Sequence, residues 1–206
     1  MPQSAPQPTD TLSLKPEQVS SASMVLQQLA GRLQQQRADK ILDVGPAYQE
    51  NINFFANRAK QLYVCDLFTR LHQIKNTEKP SNTQIWKELE FPSNHFDCIN
   101  LWGLLDHLTD EEALKIVQRC KKLVKPYGLV LVIAIENALH PRNSTLFASS
   151  PEYRLTLRSL PHIQLPFFYR PNRELISLLE PFKPIKIFRH HNGIREMLFQ
   201  RSAHSR

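Results

Sequence analysis

Five glycines in 206 residues leave no second glycine-rich loop in this chain, and neither a P-loop nor a Gly-x-Ser-x-Gly elbow is present. The three cysteines, Cys65, Cys98 and Cys120, are odd in number, widely spaced and set in apolar surroundings. They exclude a disulfide framework and a zinc site, and read as reduced packing residues of a cytoplasmic protein. No paired-histidine spacing points to a metal, and His190-His191 reads as an exposed pair before a turn. The longest unbroken apolar run, Leu129 to Ile135, is far shorter than the ~20 residues that span a bilayer, so no transmembrane segment is expected. The first eight residues lack both the basic and the apolar regions of a secretory signal.

What is present is globular. The apolar fraction of 41% and the length suit one domain with a full core. Residues 1–14, rich in Pro, Gln and Ser, read as a disordered tail ahead of a single domain over 15–206. The net charge of +7 is concentrated at the end, where residues 151–206 carry ten Lys/Arg against four Asp/Glu. The basic residues are scattered rather than striped, so a solvated surface is the main reading and nucleic acid the lesser one.

Periodicity sets the elements. A helix is predicted from near Pro16 to Gln36, with Val25, Leu26, Leu29, Ala30 and Leu33 on one stripe. Ile41–Val44 reads as a strand, and Glu50–Ala59 as a helix burying Ile52, Phe54 and Phe55. Leu62–Cys65 is a second strand, followed by a short helix over Leu67–Gln73 and a loop over Lys75–Thr83. A short third strand is expected near Gln84–Trp86, and a fourth over Phe96–Trp102. Asp110–Leu123 is an amphipathic helix capped by Thr109 or Asp110, with Ala113, Leu114, Val117 and Leu123 inward. Lys125-Pro126-Tyr127-Gly128 reads as a turn into Leu129–Ile135, whose continuous apolarity marks a strand buried on both faces. Asn172–Leu179 is a helix. Asn192-Gly193 between two apolar runs, Ile185–Arg189 and Ile194–Phe199, signals an antiparallel hairpin. The fold class is therefore α/β, a mostly parallel sheet with helices on both faces and a C-terminal hairpin.

One unit carries chemistry. Ile41-Leu42-Asp43-Val44-Gly45 ends a strand in an acid and a glycine, and Asp66 ends the next strand 21 residues beyond Gly45. An acid at that spacing is placed to accept from ribose hydroxyls in Rossmann-like sheets. Phe91-Pro92-Ser93-Asn94-His95-Phe96-Asp97-Cys98-Ile99, then Leu105-Asp106-His107-Leu108-Thr109-Asp110, then Leu123 to Val132, follow in fixed order. Together these segments resemble the class I S-adenosylmethionine-dependent methyltransferase family over roughly residues 20–201.

The resemblance implies S-adenosylmethionine as cofactor and a methyl acceptor, read as a small molecule. It places the cofactor against Asp43, Gly45, Ala47, Tyr48, Gln49 and Asp66, with Trp86 or Glu88 beside the adenine. Where the family has Gly-x-Gly-x-Gly, this chain has Gly45, Ala47 and Gln49, with Pro46 removing one backbone donor. A catalytically silent binding or assembly module is the alternative reading. Asp43 either binds the methionine amine or caps the loop amides. His107 is the one candidate for a general base, against a structural role. Residues 137–171 read as an insertion on the substrate side, in which Phe167, Phe168, Tyr169 and Arg170 either line an apolar pocket with a basic mouth or simply anchor a long loop.

Overall fold

Alternating apolar residues decide how the strands share a sheet. The computed structural model describes residues 20–76, 84–136, 144–160, 163–180 and 182–203. The tail over 1–14, the start of the first predicted helix, most of the Lys75–Thr83 loop and the opening of the 137–171 segment lie outside them. Helix α1 spans Met24–Gln35, β2 Lys40–Asp43, α2 Gln49–Ala56, β3 Gln61–Val64 and α3 Leu67–Lys75. Strand β4 spans Phe96–Asn100, α4 Asp110–Leu123, β5 Val124–Ile135, α5 Asn172–Leu178, β8 Phe182–Arg189 and β9 Ile194–Arg201. The main sheet has the order β3-β2-β4-β5-β9-β8, parallel except for the antiparallel pairings of β9 with β5 and β8.

Period-two alternation along β2, β4 and β5 divides the core into two layers. Ile41, Cys98, Leu129, Leu131 and Ile133 pack against Val25, Leu29 and Leu33 of α1 and Phe54 and Phe55 of α2. Leu42, Val44, Ile99, Val130 and Val132 face α3, α4 and α5. Helix α4 starts on a capping box in which Thr109 and Glu112 each satisfy the other's backbone N–H. Its inward residues are Ala113, Ile116, Val117, Cys120 and Leu123, whereas Leu114, expected inside, is exposed. In α2, Asn51 is buried and Ile52 only half so.

Four departures from the expected elements have physical causes. Ser20–Ala22 is not helical; it forms β1, because Ser23 caps α1 by accepting from the Leu26 N–H at 2.9 Å and so stops the helix there. Ile85–Glu88 is a single 3-10 turn rather than a third strand, with Ile85 buried under it. No strand among the described residues lies outside β3. The expected turn at 125–128 is the first part of β5, where Tyr127 takes φ 62° and the register shifts against Phe96 and Cys98.

The fourth departure concerns the segment after β5. It is not a plain loop: Ser144–Ser149 (β6) and Arg154–Leu160 (β7) form a hairpin, and β7 also pairs with β1. This small sheet is tied to α2 because Asn51 Oδ1 accepts from Ser149 N–H at 2.8 Å and from Ser149 Oγ at 3.0 Å. Residues 163–170 then return across the carboxyl end of the main sheet, where Phe168 N–H donates to the Asp106 carbonyl at 2.7 Å.

Candidate active site

The chain leaves β2 towards β3 on one side, then crosses to β4 on the other. The carboxyl ends of β2 and β4 therefore flank the topological switch point, where open α/β sheets bind ligands. Asp43 ends β2 there and is buried. Its Oδ1 accepts from Gly45 N–H at 2.8 Å and from the Trp102 indole Nε1 at 2.7 Å. The described residues give Oδ2 no hydrogen bond. Burial pushes the Asp43 carboxyl up to about 7, with the charge of Asp66 adding to the rise and the two N–H bonds opposing it. Gly45 is required for space: a Cβ on it would lie 2.4 Å from Trp102 Cδ1 and 2.8 Å from Nε1.

Asn100 stands in register beside Asp43 at the end of β4. It is fully buried; its Oδ1 accepts from the Cys98 thiol at 3.4 Å, while its Nδ2 has no hydrogen-bond partner among the described residues. Past Gly45 the loop opens outward. Pro46 is buried, Ala47 is exposed, and Tyr48 caps α2 with its ring against the α4-side core. Gln49 is exposed and reaches along its own helix, donating to Asn53 Oδ1 at 2.8 Å.

Asp66, at the carboxyl end of β3, is the N-cap of α3. Its Oδ1 accepts from Thr69 N–H at 2.9 Å and its Oδ2 from the Thr69 hydroxyl at 2.8 Å. Backbone bonds from Cys65 N–H to the Asp43 carbonyl and from Leu67 N–H to the Val44 carbonyl hold this corner against the first loop. Asp43, Gly45 and Asp66 are thus brought together. Trp86 is not in that group: its ring lies against α4, with the Lys115 ammonium 4.5 Å from the ring centroid. Glu88 is spent on an ion pair with Arg70 at 2.8 Å.

His107 lies in the 3-10 turn Leu104–His107, buried, with Nδ1 2.8 Å from the Pro166 carbonyl oxygen. The rings of Phe68 and Phe167 meet it edge-on at 5.7 and 6.2 Å. This geometry clamps the turn to the returning 163–170 segment. The expected basic mouth is absent from that segment. Arg170 is buried and its guanidinium donates to the carbonyls of Leu105 (2.6 Å) and Leu108 (2.8 Å) and to Asp110 (2.6 Å). Tyr169 is exposed and lies over Arg195.

His190 is also not exposed. It is buried at the end of β8, where its Nε2 bonds Glu196, and the same carboxylate accepts from Ser23 Oγ. Asn100, Trp102 and Asp106 went unnoticed in the sequence. A polar residue closing an apolar strand is the signal that would have found Asn100; Trp102 offers none, since its role depends on a fold-back over Gly45.

Residues 18–180 match the family model of a methyltransferase domain. No curated protein matches the chain. Among solved structures, the chain is similar to S-adenosylmethionine-bound CalS10, an amino pentose methyltransferase from Micromonospora echinaspora. That match has a TM-score of 0.55 and 14% identity over 86% of this chain and 90% of the other. It is also similar to 1,6-didemethyltoxoflavin-N1-methyltransferase from Burkholderia thailandensis, solved with 1,6-didemethyltoxoflavin and S-adenosylhomocysteine. There the TM-score is 0.50 and the identity 16%, over 87% and 79% of the two chains. The N-methyltransferase NodS from Bradyrhizobium japonicum WM9 gives 0.50 and 15%, over 85% and 93%. At these identities the likeness is one of fold.

Proposed function

The chain belongs to the methyltransferase-domain family, and we propose that it transfers a methyl group from S-adenosylmethionine to a small-molecule acceptor. When bound, that cofactor supplies an electrophilic methyl on a sulfonium leaving group. The protein's part is then positioning and charge placement, with little asked of a side-chain base.

The observation that carries this reading is the pair of polar atoms at the switch point. A buried donor without a partner costs about 1–3 kcal/mol, and Asn100 Nδ2 is such a donor. Beside it, Asp43 has both its hydrogen bonds on Oδ1. An amino-acid end fits this pair, its carboxylate accepting from Asn100 and its ammonium donating to Asp43 Oδ2. Asp66 retains acceptor capacity beyond its two bonds to Thr69, enough for ribose hydroxyls. Gly45, Ala47 and Tyr48 lie on the turn that leads from Asp43 into α2, which Gln49 begins. We assign His107 the clamp rather than proton transfer, because its Nδ1 is taken up by the Pro166 carbonyl and its ring is held between Phe68 of α3 and Phe167. That segment, crossing the carboxyl end of the sheet, is the acceptor-side wall. A small acceptor agrees with the amino pentose and toxoflavin-type substrates named for two of the similar structures.

Calorimetry with S-adenosylhomocysteine tests the reading. Binding by the wild-type chain, weakened about tenfold or more in Asn100→Ala with the unfolding temperature retained, is the expected result. No heat at ligand concentrations of about 1 mM overturns it.

A further inference from the structure

We propose that Trp102 is a positioning residue for Asp43, its indole N–H fixing the carboxylate so that Oδ2 faces the ammonium of the cofactor's amino-acid end. The inference rests on the cofactor reading above and adds a residue that the sequence did not single out.

Three observations converge on it. The first is place. Trp102 follows β4, and its Nε1 reaches Asp43 Oδ1 at the end of β2, so the indole bridges the two strands that flank the switch point. The second is backbone. Trp102 takes φ 46°, a left-handed conformation that bulky residues rarely adopt, and its carbonyl accepts from Ile133 N–H at 3.0 Å. The strand end is thereby turned so that the side chain folds back over Gly45. The third is fit. The fully buried indole fills the space in which a Gly45 Cβ would sit, and Phe55 meets it edge-on at 6.0 Å. It has no freedom to swing away from Asp43.

The consequence for the carboxylate is directional. Two N–H donors on Oδ1 set its plane and leave Oδ2 as the free acceptor. Both donors favour the ionised form, which an ammonium requires, against the burial that favours the neutral form. The other titratable groups acting here are Asp66, whose charge opposes ionisation of Asp43, and Cys98 of β4, whose thiol burial holds neutral. Removing the indole N–H therefore raises the pH at which Asp43 ionises.

The test is S-adenosylhomocysteine binding by calorimetry from pH 6 to 9 in wild type, Trp102→Phe, Asp43→Asn and the double variant. Phenylalanine keeps a ring over Gly45, removes the donor and also some packed volume, so the pH profile and the double variant are what separate the donor from packing. A hydrogen bond to a charged group is worth about 1.5–3 kcal/mol, so Trp102→Phe should bind roughly 10- to 100-fold more weakly at pH 7. Its affinity should also begin to fall at a higher pH than in the wild type. Asp43→Asn should bind weakly at every pH, with no further loss when Trp102→Phe is added. Equal losses in both backgrounds with an unmoved pH profile would mean packing alone, and would overturn the proposal. Tighter binding by Trp102→Phe would also overturn it, by showing that the ring obstructs the crevice. Absence of wild-type binding removes the cofactor reading, whereas wild-type binding with an unchanged Trp102→Phe removes only this inference.

A measurement on the wild-type fold covers a variant that fails to fold. The chain has two tryptophans, so Trp86→Phe assigns the indole signals. The Trp102 indole N–H resonance should titrate with Asp43 and shift on adding S-adenosylhomocysteine; a resonance that does neither overturns the proposal.

Discussion

Asp106 and Arg195 grip the same residue of β5 from two sides. Asp106 Oδ2 accepts the Ile135 N–H at 2.9 Å, and Arg195 Nη2 donates to the Ile135 carbonyl at 3.1 Å. Both side chains are buried, and Asp106 Oδ1 and Arg195 Nε have no hydrogen-bond partner among the described residues. Arg195 also donates to the Arg170 carbonyl at 2.7 Å, so the end of β5, the Leu104–His107 turn and the 163–170 segment are fastened together. Burial pushes the Asp106 carboxyl up to about 7 against the pull of the Ile135 N–H, Arg195 and Arg170. A folded value above the unfolded one means that its contribution to stability is present below about pH 4 and lost as pH rises through about 7. Urea unfolding of wild type and Asp106→Asn from pH 4 to 8 should therefore show the wild type losing ground to the variant. The limit is roughly 1.4 kcal/mol per pH unit. Asp43 titrates in both proteins and cancels in the difference. A difference that stays constant with pH would show that Asp106 is not held neutral by the fold.

Gly45 and Trp102 are a packing pair. Among the described glycines only Gly193 has positive φ, so alanine at Gly45 is limited chiefly by the indole, then by Asp43 Oδ1 at 3.1 Å, and not by the backbone. Gly45→Ala should destabilise by about 1–3 kcal/mol, the usual cost of overfilling a packed site. In a Trp102→Leu background the same substitution should cost markedly less, because neighbours in contact are not additive. Thermal unfolding of the four proteins in that cycle measures the coupling. Additive effects would show that the indole is not what excludes a side chain at Gly45.

The elements legible in the sequence were those specified locally. Helix α4 carries its own capping box, β5 its continuous apolar run, and the final hairpin its Asn192-Gly193 turn with Gly193 at φ 75°. What was not legible depended on distant partners. Ser20–Ala22 continues an apparently helical stretch, but its pairing with Arg154–Thr156 makes it a strand. Gln84–Trp86 has the look of a strand, yet Ile85 turns inward and Trp86 sideways onto Lys115. His190 sits beside a turn, where exposure is the ordinary expectation, and is buried because Glu196 faces it across the hairpin. The site divides the same way. An acid closing an apolar strand marks Asp43 and Asp66, whereas the residue that supports Asp43 comes from the far side of the switch point.

Asp66 caps α3, and the ligand role proposed for it can be separated from that cap. Asparagine is as good an N-cap as aspartate, so Asp66→Asn should keep α3 and the unfolding temperature nearly intact. It loses the charge and one of the two acceptor oxygens, and the oxygen that remains already accepts from the Thr69 N–H. Its affinity for S-adenosylhomocysteine should therefore fall about tenfold or more. Asp66→Ala should lose that affinity and also about 1 kcal/mol of stability with the cap. Thr69→Val removes the hydroxyl from Oδ2 while keeping the backbone donor on Oδ1, so it should bind at least as tightly as the wild type. Calorimetry and thermal unfolding on the same three variants separate the roles. If Asp66→Asn binds like the wild type and Asp66→Ala loses only stability, Asp66 is a cap alone and the ligand role proposed for it falls.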